Sequence, residues 1–165
     1  MSKTFTLILP DLEATFLLGK TLSQYIVSQE LHHIFMTGEL GSGKTTLTHA
    51  IVTNLPNAHD CEVASPSFSL INYYPTQPEI QHADLYRCQD NIPDELLDNL
   101  ENPHMVTLLE WSEFLPPAFW PAEVLQLKFE HDLSSPLARR RLTLEAFGTK
   151  TWQVLASLEK HFAAS

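Results

Sequence analysis

Apolar residues in the first third of the chain follow two periods, one typical of strands and the other typical of helices. Short apolar runs at residues 4–9 and His33–Thr37 predict strands, because a proline ends the first run and a glycine ends the second. Asp11 is the predicted N-cap of a helix after the first strand, and Pro56 is the predicted end of a helix after the second. The apolar residues at helical spacing are Leu12, Phe16, Leu22, Tyr25 and Ile26 in the first helix, and Leu47, Ala50, Ile51 and Leu55 in the second.

The alternation of strands and helices continues to the end of the chain. Residues 61–74 fit neither period, because serines and a proline interrupt the apolar residues. Residues 105–109 are almost wholly apolar, which is typical of a strand buried on both faces. The last two predicted strands are joined too briefly for a helical crossover, so the sheet must be mixed. The other predicted elements are strands at Glu79–Asp84, 124–130 and 141–147, a helix that opens at Pro93, and a final helix that carries Trp152, Leu155 and Phe162.

Between the second strand and its helix lies the sequence G-x-x-x-x-G-K-T, the phosphate-binding P-loop pattern. Glycines let such a loop turn its backbone N–H groups toward phosphate oxygens. Lys44 would reach the β- and γ-phosphates, and the Thr45 hydroxyl would ligate Mg²⁺. The order strand, loop, helix places a triphosphate at a helix N-terminus, so a glycine-rich turn that binds nothing is the minor alternative. The predicted nucleotide-binding residues are Gly38, Glu39, Leu40, Gly41, Ser42, Gly43, Lys44, Thr45 and Thr46.

This order of elements predicts the fold class. It is an α/β fold like that of P-loop NTPases, a three-layer sandwich with a mixed, mainly parallel sheet. The length predicts a single domain over residues 1–165. ATP is the predicted nucleotide, because the chain lacks the N/T-K-x-D pattern that reads guanine; Thr149-Lys150 is followed by Thr151-Trp152.

Two carboxylates stand at the carboxyl ends of predicted strands. Asp84 ends the strand at Glu79–Asp84, and Glu110 follows residues 106–109 in the style of a Walker-B motif. Ligands of open α/β sheets bind beyond these strand ends. Because phosphoryl transfer needs a carboxylate near the γ-phosphate and the metal, Asp84 and Glu110 are catalytic candidates together with Lys44. The alternative for each acid is a solvated loop residue.

Other polar residues are weaker candidates. Ser65-Pro66-Ser67-Phe68-Ser69 is a possible switch segment that senses the metal or the γ-phosphate, and a plain turn held by serine hydroxyls is nearly as good an interpretation. The basic run at residues 139–141 would supply charge to phosphate, although a solvated strand start is preferred. His32, His33 and His82 are expected at strand edges as packing or solvated groups, so no metal beyond Mg²⁺ is predicted.

The charge balance argues against direct binding of nucleic acid by the surface of this protein. Ten basic and twenty acidic residues give a net charge of −10, whereas such binding depends on neutralising phosphates. Cys61 and Cys88 match no metal or redox spacing and are predicted to be free thiols. The N-terminus does not resemble a signal peptide, and no run has the length of a membrane span, which predicts a soluble cytoplasmic protein.

Four motifs, in order along the chain, resemble those of the TsaE family, small bacterial ATPases of tRNA threonylcarbamoyladenosine synthesis. The resemblance covers about residues 5–148. Ser67 departs from the family pattern, which more usually has threonine at this position. The motifs are the P-loop at residues 38–45, Ser65-Pro66-Ser67-Phe68, His82-Ala83-Asp84-Leu85-Tyr86-Arg87 and Leu109-Glu110-Trp111-Ser112-Glu113.

The resemblance implies a P-loop ATPase fold of modified topology, with ATP and Mg²⁺ as cofactors. It also implies two partners, a threonylcarbamoyl transferase subunit and a related scaffold subunit, and a role in the N6-threonylcarbamoyl modification of adenosine 37 of tRNA. On the family's pattern, Thr45 and Glu110 would hold Mg²⁺, and Lys44 would bind phosphates. Asp84 would be the second essential acid, and Asp11 would lie near the adenine.

The predicted function is therefore a Mg²⁺-dependent ATPase that drives a tRNA-modifying complex and does not itself transfer the group. The net acidity suits protein partners better than direct contact with tRNA. One alternative is a small-molecule kinase that uses residues 139–141 as phosphate clamps. A second alternative is a nucleotide-gated binding module with negligible hydrolysis.

Overall fold

The computed structural model describes residues 3–66, 69–134 and 139–164. Within these ranges, seven strands form one sheet. The strands are β1 (Lys3–Leu9), β2 (His33–Thr37), β3 (Ile71–Tyr74), β4 (Glu79–Asp84), β5 (Met105–Glu110), β6 (Val124–His131) and β7 (Arg140–Phe147). The α-helices are α1 (Leu12–Val27), α2 (Lys44–Val52), α3 (Asp94–Leu100) and α4 (Thr149–Ala163).

The sheet has the strand order β1-β7-β6-β2-β5-β4-β3. Pairings β2–β5, β2–β6 and β4–β5 are parallel, and pairings β1–β7, β6–β7 and β3–β4 are antiparallel. The prediction of an α/β fold with a mixed sheet is confirmed. The prediction that the sheet is mainly parallel is confirmed only in part, since three of the six pairings are parallel. The connections before β4 and before β7 are short and give antiparallel pairs.

The strand β3 was not expected from the sequence. It has four residues, lies at the edge of the sheet and pairs with β4 alone, with Ile71 opposite Ala83 and Tyr74 opposite Ile80. A strand this short gives no clear period, and the neighbouring serines and proline hide it further. Its position brings the start of the predicted switch segment next to the end of β4.

Helix α1 packs closely against α2. Asp11 is the N-cap of α1 as predicted, since its Oδ1 accepts a hydrogen bond of 2.8 Å from the Ala14 N–H. A Cβ atom at Gly19 would overlap Ala50 Cβ and would lie 2.8 Å from Ala50 C, so only glycine fits at this crossing. Helix α2 ends at Val52, earlier than the predicted stop at Pro56.

Apolar residues form a cluster on each side of the sheet. Helices α1, α2 and α4 contribute to the larger cluster, which includes Ile34 of β2 and Leu108 of β5. Helix α3 contributes to the smaller cluster, together with Phe35 of β2 and Leu109 of β5. All six residues of β5 are buried, as predicted from its apolar run. Helices therefore pack on both sides of the central strands.

Strands β2, β4, β5 and β6 are mutually parallel, so their carboxyl ends meet at one edge of the sheet. The P-loop follows β2 at this edge, and Asp84 and Glu110 are the last residues of β4 and β5. The fold thereby brings together segments that lie far apart in the sequence. No helix in the described part of the chain is long and apolar enough to cross a membrane.

Candidate functional site

The glycines of the P-loop take backbone conformations that other residues rarely adopt. Gly43 is the N-cap of α2 in a left-handed conformation, with φ of 110°. Gly38 has φ of 142°, and a Cβ atom there would lie 2.8 Å from both Phe129 O and Ser42 Oγ. The loop therefore lies tightly between β6 and its own serine, which fixes the start of α2.

The ammonium group of Lys44 lies against the P-loop. Its Nζ donates to the carbonyl oxygen of Gly38 and, at 2.9 Å, to that of Glu39. It also lies 4.4 Å from the centroid of the Trp111 indole, which adds a cation–π contact. Burial lowers the pKa of Lys44, and the carboxylates of Glu110, Glu113 and Asp84 act in the opposite direction. A phosphate at the loop would compete with these carbonyl oxygens for the same cation.

Thr45 and Glu110 are in direct contact, although they lie 65 residues apart. The Thr45 hydroxyl donates to the Glu110 carboxylate at 3.0 Å from Oε1 and 3.3 Å from Oε2. Adjacent ligands of an octahedral Mg²⁺, each about 2.1 Å from the ion, lie about 3 Å apart, so this pair fits one such ion. The described residues contain no cluster of three or more His, Cys, Asp or Glu side chains that could hold a metal. Mg²⁺ commonly uses few protein ligands and takes the others from phosphates and water.

Asp84 lies beside Glu110 on the neighbouring strand, in register with it. Its carboxylate accepts hydrogen bonds from the Ser65 hydroxyl at 3.0 Å and from the Tyr86 N–H at 2.9 Å. Two carboxylates thus stand at adjacent strand ends facing the start of α2. The contact with Ser65 ties Asp84 to the predicted switch segment, whose central residues Ser67 and Phe68 lie outside the described residues.

His82 differs from its expected place among packing or solvated groups at a strand edge. Its side chain is fully buried, and its Nε2 lies 2.8 Å from Glu110 Oε1. Its Nδ1 lies 3.0 Å from the hydroxyl of Tyr74, which is also buried. Side chains two residues apart on a strand share a face, so the position of Asp84 already placed His82 toward the same side. That signal was present in the sequence, whereas the contact with Tyr74 depends on the unexpected strand β3.

Arg140 contacts the P-loop. Its Nε donates to the carbonyl oxygen of Ser42 at 3.1 Å, and its Nη2 donates to that of Gly41 at 3.3 Å. The residue opens β7, so the basic run does begin a strand, as was preferred from the sequence. The guanidinium group supports the loop from outside, a role that the basic run alone did not indicate.

A cavity of about 600 Å³ adjoins the P-loop, with Gly38, Trp111 and Lys128 among its walls. Its volume lies in the range of small-molecule sites. Asp11, predicted near the adenine, is not among the described residues that line it. The carboxylate of Asp11 instead caps α1, so its contact with a nucleotide stays a prediction. Thr46 lies in the first turn of α2, and Leu40 is exposed at the tip of the loop.

The free thiols predicted for Cys61 and Cys88 are confirmed.

Taken together, the fold and the site define an α/β protein with a P-loop sequence at a helix N-terminus and two acids at neighbouring strand ends. The chain belongs to the TsaE family of threonylcarbamoyl adenosine biosynthesis proteins, whose sequence model matches residues 9–141. The resemblance drawn from the four motifs is thereby confirmed.

Relatives from several bacteria support this membership. Each is described as a tRNA threonylcarbamoyladenosine biosynthesis protein TsaE. The Haemophilus influenzae protein is 30% identical over 119 residues, covering 67% of this chain and 73% of the relative. The Aquifex aeolicus protein is 33% identical over 64% of this chain and 75% of the relative. The Bacillus subtilis protein is 29% identical over 76% of this chain and 77% of the relative.

A solved structure supports the fold independently. The crystal structure of Bacillus subtilis YdiB superposes with a TM-score of 0.68, covering 98% of this chain and 97% of that one. The two sequences are 22% identical, so the likeness concerns the fold. The overall fold is therefore one that another protein also adopts.

Proposed function

We propose that this protein is a Mg²⁺-dependent ATPase that acts in the N6-threonylcarbamoyladenosine modification of tRNA at adenosine 37. The observation that carries the proposal is the contact of 3.0 Å between the Thr45 hydroxyl and the Glu110 carboxylate at the start of α2. It joins the last position of the P-loop pattern to an acid at a strand end, as phosphoryl-transfer sites require. Membership of the TsaE family supplies the pathway.

Each polar group has a role in this proposal. The backbone N–H groups of residues 39–45 and the N-terminus of α2 would bind the phosphates. Lys44 would exchange its carbonyl partners for phosphate oxygens, and Thr45 and Glu110 would hold Mg²⁺, which neutralises charge on the phosphates. Asp84 would orient the attacking water, since its carboxylate stands beside Glu110. These assignments, like that of Asp11 to the adenine end, are part of the proposal.

In this function the protein acts through partners, and tRNA is its indirect target. The proposed partners are a threonylcarbamoyl transferase subunit and a related scaffold subunit, as the family resemblance implies. The net charge of −10 favours this arrangement, because direct binding of tRNA would need a basic surface. The proposed site of action is the bacterial cytoplasm.

ATP hydrolysis by three variants tests the two acids. We expect Glu110→Gln and Asp84→Asn to lower the rate about 10²–10³-fold, the usual loss when a preorganised contact to the reacting group is removed. Asp98→Asn is the matched control, because Asp98 is an exposed acid on α3, and its rate should equal that of the wild type. Glu110→Gln should also weaken the dependence of the rate on Mg²⁺ more than Asp84→Asn does. Near wild-type hydrolysis by either variant, measured with the partner subunits present, would leave that acid with a structural role only.

The small-molecule kinase gains no support from an observation at the site. The kinase hypothesis used residues 139–141 as phosphate clamps, and Arg140 instead donates to carbonyl oxygens of the P-loop. Assays with and without candidate acceptors separate the two functions. A kinase turns over ATP rapidly only with its acceptor, whereas the proposed ATPase responds to its partner subunits. A binding module without hydrolysis would bind ATP and show no turnover in either assay.

A further inference from the structure

A line of buried polar side chains runs from Thr45 to the backbone before the predicted switch segment. Glu110 accepts from Thr45 and lies 2.8 Å from His82 Nε2, and His82 Nδ1 lies 3.0 Å from the Tyr74 hydroxyl. The Tyr74 hydroxyl in turn lies 3.3 Å from the carbonyl oxygen of Ala64. Glu110, His82 and Tyr74 are respectively 2%, 0% and 4% exposed, so bulk solvent does not reach these groups. Five chain segments thus meet along one line of polar contacts.

The donors and acceptors of this line fix the direction of the hydrogen bond between His82 and Glu110. A carboxylate only accepts, so His82 must present Nε2–H to Glu110. A ring that holds its single N–H at Nε2 has a lone pair on Nδ1, which accepts from the Tyr74 hydroxyl. The Tyr74 hydroxyl has one proton and two acceptors within reach, His82 Nδ1 and Ala64 O. Ala64 O has a second donor, the Asn72 amide at 3.1 Å, so it stays satisfied when Tyr74 donates to the ring.

We propose that His82 and Tyr74 are positioning residues that fix the Glu110 carboxylate beside Thr45. This inference rests on the proposed function, because its purpose is to orient a ligand of Mg²⁺. A glutamate side chain has several rotamers, and two hydrogen bonds on its carboxylate select one of them. Hydrogen-bond partners behind a metal ligand commonly change metal affinity 10–100-fold when they are removed. A buried histidine needs polar partners for both ring nitrogens whatever its role, and here one of these partners is the proposed ligand of Mg²⁺.

The line ends close to a segment that contacts the second acid. The carbonyl oxygen of Ala64 lies 3.3 Å from the Tyr74 hydroxyl, and the next residue, Ser65, donates to Asp84. Ala64 and Ser65 are both exposed at the surface of the protein.

Tyr74→Phe tests the line with a small change, since it removes only the hydroxyl. We expect the gain in affinity for the ATP analogue adenylyl imidodiphosphate that Mg²⁺ produces to fall about tenfold, with little change in metal-free affinity. Tyr73→Phe is the matched control: Tyr73 is the preceding residue on β3, and its hydroxyl bonds to Glu95 and Asn99 instead. Equal effects of the two variants, or none from Tyr74→Phe, would overturn the proposal.

Variants of His82 test whether Glu110 needs an N–H donor from position 82. Gln at position 82 keeps an N–H donor near the place of Nε2, whereas Leu has none. We expect His82→Gln to retain most of the Mg²⁺-dependent gain in affinity and His82→Leu to lose about tenfold. Equal affinities for the two variants would contradict a positioning role. If His82→Leu does not fold, the comparison of Tyr74→Phe with Tyr73→Phe decides alone.

The nitrogen chemical shifts of the His82 ring give a readout that needs neither nucleotide nor metal. We expect the Nε2–H tautomer in the wild-type protein, with the signal assigned by its loss in His82→Gln. An Nδ1–H tautomer would overturn the arrangement. This measurement also keeps the two proposals apart. A wild-type protein with the Nε2–H tautomer but no Mg²⁺ effect on nucleotide affinity would contradict the proposed function, and the hydrogen-bonded line would stand without its role in metal binding.

Discussion

Among single residues, Lys44 has the most direct link to nucleotide binding. Its cation is buried, and carbonyl oxygens of its own loop and the Trp111 ring hold it. We expect Lys44→Ala to weaken ATP binding by about 2–3 kcal/mol, the scale of a hydrogen bond to a charged group. Titration calorimetry measures the loss, and Lys160→Ala, an exposed lysine of α4, is the control. Unchanged affinity in Lys44→Ala would show that the nucleotide site lies elsewhere.

The positions of some site residues could be predicted from local sequence patterns. Thr45 belongs to the P-loop pattern, and Glu110 follows an apolar strand, so their proximity at the carboxyl edge of the sheet could be foreseen. The partners of His82 could not, because they depend on the register of β4 with β3. Arg140 was missed for a related reason: its contact with Ser42 joins positions 98 residues apart, which no local period reveals.

At the scale of secondary-structure elements, the tight crossing of α1 and α2 allows a stability prediction. Gly19→Ala would force a methyl group into Ala50, and overpacking of this kind commonly costs about 1–3 kcal/mol. The higher helix propensity of alanine returns about 1 kcal/mol, so we expect a net loss of up to about 2 kcal/mol. Denaturant unfolding measures the change, with Lys20→Ala on the exposed face of α1 as the control. A stabilised Gly19→Ala protein would mean that the two helices separate easily.

Elements with long, regular patterns were predicted well. Strands β2 and β4 have the expected bounds, and β5, β6 and β7 each differ by one residue at an end. Helix α2 is shorter than expected: Leu55 is buried in the core although it lies beyond the helix, so its apolar character reflects burial and not helical spacing. Strand β3 was missed because four residues at an edge carry too little periodic signal.

For the whole molecule, the mixed character of the sheet was predictable, and the share of parallel pairings in it was not. The short connection before β7 required an antiparallel pair, so a mixed sheet followed from the sequence. The position of β1 beside β7 at the far edge adds a further antiparallel pair. That pairing joins the first strand along the chain to the last, and no local feature of residues 4–9 predicts it. Two short connections and this one long-range pairing thus give the three antiparallel pairs of the sheet.

The net charge of the whole molecule predicts how strongly it binds tRNA. With a net charge of −10, the isolated protein should bind tRNA weakly, and the affinity should fall quickly as salt rises, because few phosphate contacts are possible. The basic cluster at residues 139–141 offers even fewer phosphate contacts, because Arg140 donates to carbonyl oxygens of the P-loop. Titrations at about 150 mM salt, near physiological ionic strength, with and without the partner subunits, measure the effect. We expect tight binding of tRNA only when the partners are present. Submicromolar binding by the protein alone would contradict an indirect role and would place tRNA on the surface of this chain.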